Sequence, residues 1–394
     1  MDKNFDVAII GAGPVGGALA CALAAAGRRV LLVDKSPLPP MEHPDFDGRA
    51  YAIAAGSRAL LEAGGLWAAL PYPPCPILDI AVTDGKPGRP ASPLRLNFDH
   101  RKVGDDAFGW IIEARALRIA INQRLHELSG VTLMAPAEAV VTRNAAGVSV
   151  IVGAETFTAQ LAVAADGRSS RLRDEAGIAV TRIPYRQSAV VCAIAHQRPH
   201  NNIALEHFLP GGPFAQLPMS ATAEHENVSA IVFTDKTDIV ARLSTLDTTR
   251  FTAEVAKRLG THCGAIELIG KRWTYPLSAM HAQRYVDTRL ALVGDSAHGI
   301  HPIAGQGLNL GLRDAMALLE LCSYARDCGA PDLLRAYQAA RRPANLLMLA
   351  ATDGLDRLFS TDNPAIRLAR DLGLAAVERM PRLKRRFMQA AMGR

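Results

Sequence analysis

Phe5-Asp6-Val7-Ala8-Ile9-Ile10 runs directly into Gly11-Ala12-Gly13-Pro14-Val15-Gly16. The first six residues form a short, mostly apolar run that stops at glycine, which predicts a buried parallel strand. The Gly-x-Gly-x-x-Gly spacing suits a tight turn and close approach of a ligand to bare backbone. An alanine-rich helix follows as far as Gly27, which fits a C′ position. Arg29 to Asp34 reads as a second strand, so the chain opens with a βαβ unit. The helix N-terminus behind the turn offers unpaired N–H groups and the positive end of its dipole, an arrangement that holds a pyrophosphate. Asp34, 18 residues after Gly16, ends the second strand. A carboxylate there accepts from ribose hydroxyls and repels a 2′-phosphate. The motif by itself does not separate FAD from NAD.

The 394 residues around this unit exceed one average domain, which predicts two or three structural units. Apolar residues make up 49% and charged residues 21%, enough for a sizeable core and unlike a disordered chain. The six cysteines show no C-x-x-C pair and no zinc-ligand spacing, so they read as buried small hydrophobes in a reducing compartment. Met1-Asp2-Lys3-Asn4 leads straight into the strand, without the features of a secretory leader. The longest small-apolar run, Ala18 to Gly27, has about ten residues, against the roughly 20 that a spanning helix needs. A cytoplasmic location is expected. The net charge of +6 belongs to residues 363–394, with eight basic and two acidic side chains; the rest is formally neutral. No nucleic-acid recognition pattern accompanies the charge, so nucleic acid is not an expected partner.

Further along, residues 48–70 look helical, and Pro71-Tyr72-Pro73-Pro74-Cys75-Pro76 marks a crossover. Residues 113–130 read as an amphipathic helix, and 131–166 as strands ending at Ala164-Ala165-Asp166-Gly167. Short alternating segments at 188–195, 203–209, 214–219 and 228–233 predict an antiparallel sheet inserted into an α/β domain. Residues 289–294 are again a buried parallel-type strand, with a helix from about 306. The remainder reads as helical, broken at Pro343, Pro364 and Pro381.

Two more acids end strands. Gly294-Asp295-Ser296-Ala297-His298 is followed by His301-Pro302 and Gly305-Gln306-Gly307-Leu308-Asn309. Asp295 is placed to accept from a polyol, and the helix beginning near Gln306 would aim N–H groups at a group that becomes anionic. His298-x-x-His301 has the spacing of half a metal site but lacks a third ligand nearby. Asp166-Gly167-Arg168, with Arg171 and Arg173, offers guanidinium groups for phosphate, although a solvated basic turn is the more common reading of such a cluster. Arg49 and Arg115 alone would read as surface residues.

In this order the motifs resemble the single-component FAD aromatic hydroxylases, and within them the ubiquinone-biosynthesis hydroxylases. Four stretches carry the resemblance: Asp47-Gly48-Arg49-Ala50 with Ala54-Ala55-Gly56-Ser57; Glu113-Ala114-Arg115-Ala116-Leu117-Arg118; Pro302 through Asp314; and Phe359-Ser360-Thr361-Asp362-Asn363-Pro364. It runs from about residue 5 to the end and is weak over 75–105 and 220–265. It implies a Rossmann-like FAD-binding domain of residues 1–75, 106–182 and 275–342. Residues 76–105 and 183–274 would form the substrate-binding sheet domain, and 343–394 a C-terminal helical segment. Gly11, Gly13, Pro14, Gly16, Asp34 and Lys35 would hold the ADP portion of FAD, with Arg49 and Arg115 near its pyrophosphate and ribityl chain. Gly294 and Asp295 would bind the ribityl chain. His301, Pro302, Gly305, Gln306 and Gly307 would line the flavin ring as the catalytic candidates, and Pro302, Gly305, Gly307, Leu308 and Asn309 would bind the cofactor. Asp166 and Gly167 would serve FAD and the transient nicotinamide. Ser296 stands where alanine is usual, and His207 where arginine is expected after Glu206.

The implied reaction hydroxylates a phenol ring with NAD(P)H and O₂ through a flavin hydroperoxide, the cofactor carrying the hard chemistry. The implied substrate is a lipophilic, polyprenylated phenol. Rival readings are a hydroxylase of a soluble phenol, an FAD reductase that uses no O₂, and a low-activity flavoprotein subunit of a quinone-synthesis assembly. Ile366, Ala369, Leu372, Ala376 and Met380 recur at helical spacing among arginines. That pattern fits a helix lying on an anionic membrane or docking a quinone-synthesis complex, and equally a core-packed helix with a solvated basic face.

Overall fold

The computed structural model describes residues 3–38, 46–92, 95–301, 305–359, 373 and 377–393. Strand β1 (Asn4–Ile10) leads through the glycine turn to helix α1 (Pro14–Ala25) and strand β2 (Val30–Val33). Gly27 sits at φ +82°, and Arg28 N donates to Leu23 O at 2.9 Å, so the expected glycine stop forms.

Residues 48–70 are not one helix. They form strand β3 (Ala50–Ala54) and a short helix α2 (Ala55–Ala63) ending at Gly64. The alanine-rich composition favours helix, but β3 pairs along its full length with β7 (Gly109–Glu113), a partner distant in sequence. Strand β4 (Cys75–Ile77) completes that small sheet, while β5 (Asp79–Asp84) and β6 (Leu96–Asp99) cross to another. Helix α3 (Ala114–Glu127) follows, then strands β8 (Val131–Met134), β9 (Ala139–Arg143), β10 (Val148–Val152) and β11 (Glu155–Ala164), and helix α4 (Arg171–Glu175).

Strands β12 (Val180–His196), β13 (Ile203–Leu209), β14 (Gly212–Met219) and β15 (Val228–Lys236) build the inserted sheet. Helices α5 (Thr237–Ser244) and α6 (Thr248–Leu259) precede the long β16 (Ile266–Ala282), then β17 (Val286–Asp287), β18 (Leu290–Leu292) and β19 (His298–Gly299). Helix α7 spans Gln306–Ser323, α8 Pro331–Phe359 and α9 Pro381–Met392.

The first sheet runs β17-β18-β11-β1-β2-β8, and β18, β11, β1, β2 and β8 are mutually parallel. Its middle strands are buried on both faces, as the apolar runs predict. The second sheet runs β19-β16-β12-β15-β14-β13-β5-β6. It is antiparallel except where β5 joins β13 in parallel, β5 having crossed over from the small β3-β7-β4 sheet. Helices α5 and α6 close one face of this sheet against Val190, Cys192, Ile194, Phe214, Ile231 and Phe233.

Helix α8 runs through Pro343 without a break. Pro343 lies on the exposed side, where the carbonyl it leaves unpaired is open to water. Pro364 lies outside the described residues, and Pro381 takes the first turn of α9. Ile366, Ala369, Leu372 and Ala376 also lie outside them, and Met380 is exposed. Helix α9 turns Lys384, Met388 and Met392 inward at i, i+4, i+8, and the two methionines join an apolar cluster with Ile111 and Ala204. All six cysteines are buried and unbridged. Among the described residues no helix is long and apolar enough to cross a membrane.

Candidate functional site

The glycine turn lies at the C-terminal ends of β1 and β11. Gly11 has φ +111°, and a Cβ there would lie 2.3 Å from Ala165 O; one on Gly16 would lie 2.0 Å from Gly11 O. These two glycines are required by the fold itself. Gly13 differs: a Cβ on it would meet nothing within 4 Å, so its missing side chain leaves room on the outer side. It is the N-cap of α1 and caps no N–H with a side chain, and Pro14 occupies the first turn. The turn therefore presents bare donors to an anion.

Asp34 does more than its position predicted. Its Oδ2 accepts from Ala12 N at 2.6 Å and its Oδ1 from Ser36 N at 2.8 Å, so the carboxylate clamps the turn. Each oxygen keeps a lone pair for ribose hydroxyls. Lys35 is exposed beside it.

Arg49 Nη2 lies 2.6 Å from Asp47 Oδ2, and its guanidinium sits 4.4 Å from the Trp273 ring centre on the inserted sheet. Burial pushes the Asp47 carboxyl upward, but its bonds to Arg49 outweigh that and hold it below the usual range. Trp273 Nε1 donates to Asp47 O at 2.8 Å, fastening this loop to β16. Arg115 pairs with Glu113 at 2.6 Å and faces Tyr72. Arg118, one turn further along α3, approaches Asp47 to 3.5 Å, yet its buried Nη2 has no hydrogen-bond partner among the described residues. In the sequence the signal for Arg118 is its spacing from Arg115 on one helix face.

Asp166 ends β11 with Oδ2 accepting from Arg171 N at 2.8 Å and Oδ1 buried without a partner. Gly167 adopts φ +82° beside it. The neighbouring arginines are engaged within the protein. Arg173 is fully buried, donating to Arg168 O and Ser296 O, both at 3.1 Å, and to Asp174. Arg168 reaches Asp295 at 3.2 Å and Ser278, and Arg171 pairs with Glu175. Asp295 itself is half-exposed, so its pair with Arg168 is worth only about 0–1 kcal/mol and yields readily to a ligand.

Behind Asp295, Gly294 N donates to Asp314 Oδ2 at 3.1 Å. His298 Nε2 meets the same oxygen at 2.5 Å, while Arg341 and Asn345 each donate to Oδ1 at 2.9 Å. Burial raises the Asp314 carboxyl, but His298 and Arg341 outweigh it and hold it ionised. The carboxylate thus engages His298, and no group of three metal-type ligands occurs among the described residues.

His301 is buried, with Nε2 at 3.3 Å from Gln187 Oε1 and 3.5 Å from Asp356 Oδ1. Its Nδ1 is buried without a partner. Burial lowers its pKa against the pull of Asp356, favouring the neutral ring. A cleft of about 320 Å³ lined by Tyr185, Gln187, Asp356 and Arg357 lies on the Nε2 side. Pro302 lies outside the described residues. Gly305 caps α7 at φ +61°, and Gln306 is buried. Gly307 faces open space, and Leu308 packs on the main core. Asn309 Nδ2 donates to Ala52 O and its Oδ1 accepts from Ala54 N, both at 2.8 Å, so it ties this loop to β3.

Across these elements, bare N–H groups, a ribose-type acid, an orphaned guanidinium atom, an orphaned carboxylate oxygen and a half-free Asp295 all suit a flavin dinucleotide. Residues 4–352 match the family described as FAD binding domain. A ubiquinone hydroxylase, UbiL, of Rhodospirillum rubrum is 47% identical over 398 residues, covering all of this chain and 90% of the relative. The 3-demethoxyubiquinol 3-hydroxylase of Escherichia coli is 32% identical, covering 100% and 99%. The chain belongs to the FAD-dependent ubiquinone-biosynthesis hydroxylases. The human mitochondrial ubiquinone biosynthesis monooxygenase COQ6 is 30% identical, covering 99% of this chain and 93% of the relative. Among solved structures, p-nitrophenol 4-monooxygenase of Pseudomonas putida shares the fold at a TM-score of 0.80 and 18% identity, covering 100% and 99%. The Diels-Alderase PyrE3 also shares it, at 0.73 and 22%, covering 100% and 80%. Two such different reactions on one fold leave the chemistry of this family to its site residues.

Proposed function

We propose that this hydroxylase acts on the ring of a polyprenylated phenol, with NAD(P)H as reductant and O₂ as cosubstrate. The observation that carries the reading is full-length identity to ubiquinone hydroxylases in a chain whose glycine turn, acids and arginines suit FAD. FAD, when bound, supplies the redox and oxygen chemistry. The chain's own part is to hold the cofactor and exclude water. Gly13, Pro14 and the first turn of α1 would take the pyrophosphate, Asp34 the ribose, and Arg49, Arg115 and Arg118 the phosphate charge. Asp295 would take the ribityl chain once released from Arg168. His301 and residues 305–309 would border the ring, with Asn309 tying the latter to β3. Asp166 and Gly167 would border the cofactor at the adjoining strand end.

A polyprenyl tail gains about 0.8 kcal/mol per buried CH₂ and does not cross water alone. The exposed side of α9 suits an anionic membrane surface: Met380 and Phe387 are 51% and 48% exposed, among exposed Arg382, Arg385 and Arg386. The test of the reaction is mass spectrometry of lipid quinones from a strain lacking the gene. A prenylated phenol short of one hydroxyl should accumulate. An unchanged quinone pool, with no redundant enzyme, would reject the reading.

A further inference from the structure

The face of the inserted sheet opposite α5 and α6 carries one unexplained acid. Cross-strand pairing places Val82, Glu206, Ala215, Val232, Val191 and Trp273 side by side on a single rung of this face. None of the six is fully buried, whereas Phe214, Ile231, Phe233 and Val190, facing the helices, are closed off. The described residues therefore cover this rung only in part. Trp273, at one end, is fastened to Asp47 and stacked on Arg49, so the rung looks towards the cofactor-binding domain. Glu206 lies four strands away, roughly 19 Å at about 4.8 Å per strand.

The surroundings of Glu206 are apolar. Along β13 its same-face neighbours are Ala204, packed with Ile111 and Met388, and Phe208, whose ring stacks on Phe359 at 3.8 Å. Its carboxylate has no hydrogen-bond or ion-pair partner among the described residues, and burial alone pushes it up to about 7. Of the titratable groups on this face, Asp84 of β5 lies one rung away and Lys384 of α9 sits over the Phe98 ring. Lys384 is held 2.6 Å from Glu378, so neither cation nor donor answers Glu206. An unpaired acid on an apolar floor costs stability unless a ligand pairs with it.

We propose that Glu206 is a catalytic residue that accepts the ring hydroxyl of the phenol. This rests on the phenol reading above. The phenol O–H donates to a Glu206 carboxylate oxygen on binding. As the ring carbon bonds one oxygen atom of the O₂ that the NAD(P)H electrons reduce, the O–O bond breaks and the other oxygen leaves as water. The phenol proton passes to the Glu206 carboxylate, and electron density moves through the ring to the reacting carbon. That carbon then sheds its own hydrogen as a proton to restore aromaticity. The proton on Glu206 returns to the product or to solvent. A polyprenyl chain would extend over the apolar rung, leaving the hydroxyl as the substrate's own donor.

The test uses the holoenzyme and two probes, 2-geranylphenol and its methyl ether, which has no proton to donate. Binding is followed by flavin difference absorbance from pH 6 to pH 8 without reductant. For the wild type, phenol affinity should rise as Glu206 ionises, while the ether should show no rise. Glu206→Gln should flatten the phenol profile and lower hydroxylation about 10²-fold, with KM within a few-fold. Glu206→Asp should restore part of the pH response, which separates lost chemistry from lost folding. If E206Q binds and hydroxylates with the wild-type profile, the assignment to Glu206 is overturned and the phenol reading stands. If the wild-type holoenzyme shows no response to 2-geranylphenol, the phenol reading falls and takes the assignment with it.

Discussion

His298 Nε2 and Asp314 Oδ2 meet at 2.5 Å in full burial, and the same carboxylate oxygen accepts Gly294 N. One acid on α7 thus holds both ends of the segment that presents Asp295. Arg341 and Asn345 of α8 supply the remaining donors. Asp314→Asn should leave Arg341 without its partner and cost about 3–5 kcal/mol. Thermal melting and flavin content of the purified variant would check this; an unchanged melting point and full flavin would show that the cluster is dispensable.

The glycines of the turn should separate by role. Gly16→Ala should lower the melting point of the apoprotein, because its Cβ would lie 2.0 Å from Gly11 O. Gly13→Ala meets no protein atom and should leave the apoprotein melt intact while weakening FAD about tenfold, or about 1.4 kcal/mol. Apoprotein melting and FAD titration, run on both variants, would reveal any deviation from this pattern.

Glu206 predicts a pH-dependent stability cost. Its folded pKa of about 7 lies above its ordinary value of 4.5, so between these the folded state holds a proton that the unfolded state has released. The folded chain therefore loses stability as pH rises through that window, by on the order of 3 kcal/mol at completion. Glu206→Gln should raise the melting point at pH 8 and leave it nearly unchanged at pH 4.5. Equal shifts at both pH values would mean that the carboxylate is not destabilised by burial.

The two sides of α9 should respond differently. Met392→Ala removes a fully buried side chain and should cost about 2–5 kcal/mol. Reversing Arg385 and Arg386 to glutamate should leave melting unchanged while reducing binding to vesicles of anionic phospholipid. Loss of the attraction alone amounts to about 1 kcal/mol per basic residue near the surface. Sedimentation with the vesicles measures this, and undiminished binding would remove α9 from any membrane role.

Local chemistry made the nucleotide end of the protein legible in its sequence. A turn that needs Gly11 and Gly16 for steric reasons, a helix that begins at Pro14 and an acid at the end of β2 are properties of a short contiguous stretch. The alternation in 188–233 likewise announced the inserted sheet. What the sequence alone could not determine were pairings made at long range. Residues 50–54 read as helix because their composition favours it, yet β7 draws them into a sheet. Pro343 read as a break, yet α8 carries it on a solvent-facing side. Asp34 clamping Ala12, Asn309 tying α7 to β3 and Asp314 joining His298 to Arg341 each depend on partners brought together only by folding. Glu206 is the sharpest case. Nothing in Leu205-Glu206-His207 marks the acid, and only the register of β5, β13 and β14 leaves it without a partner among the described residues on an apolar face.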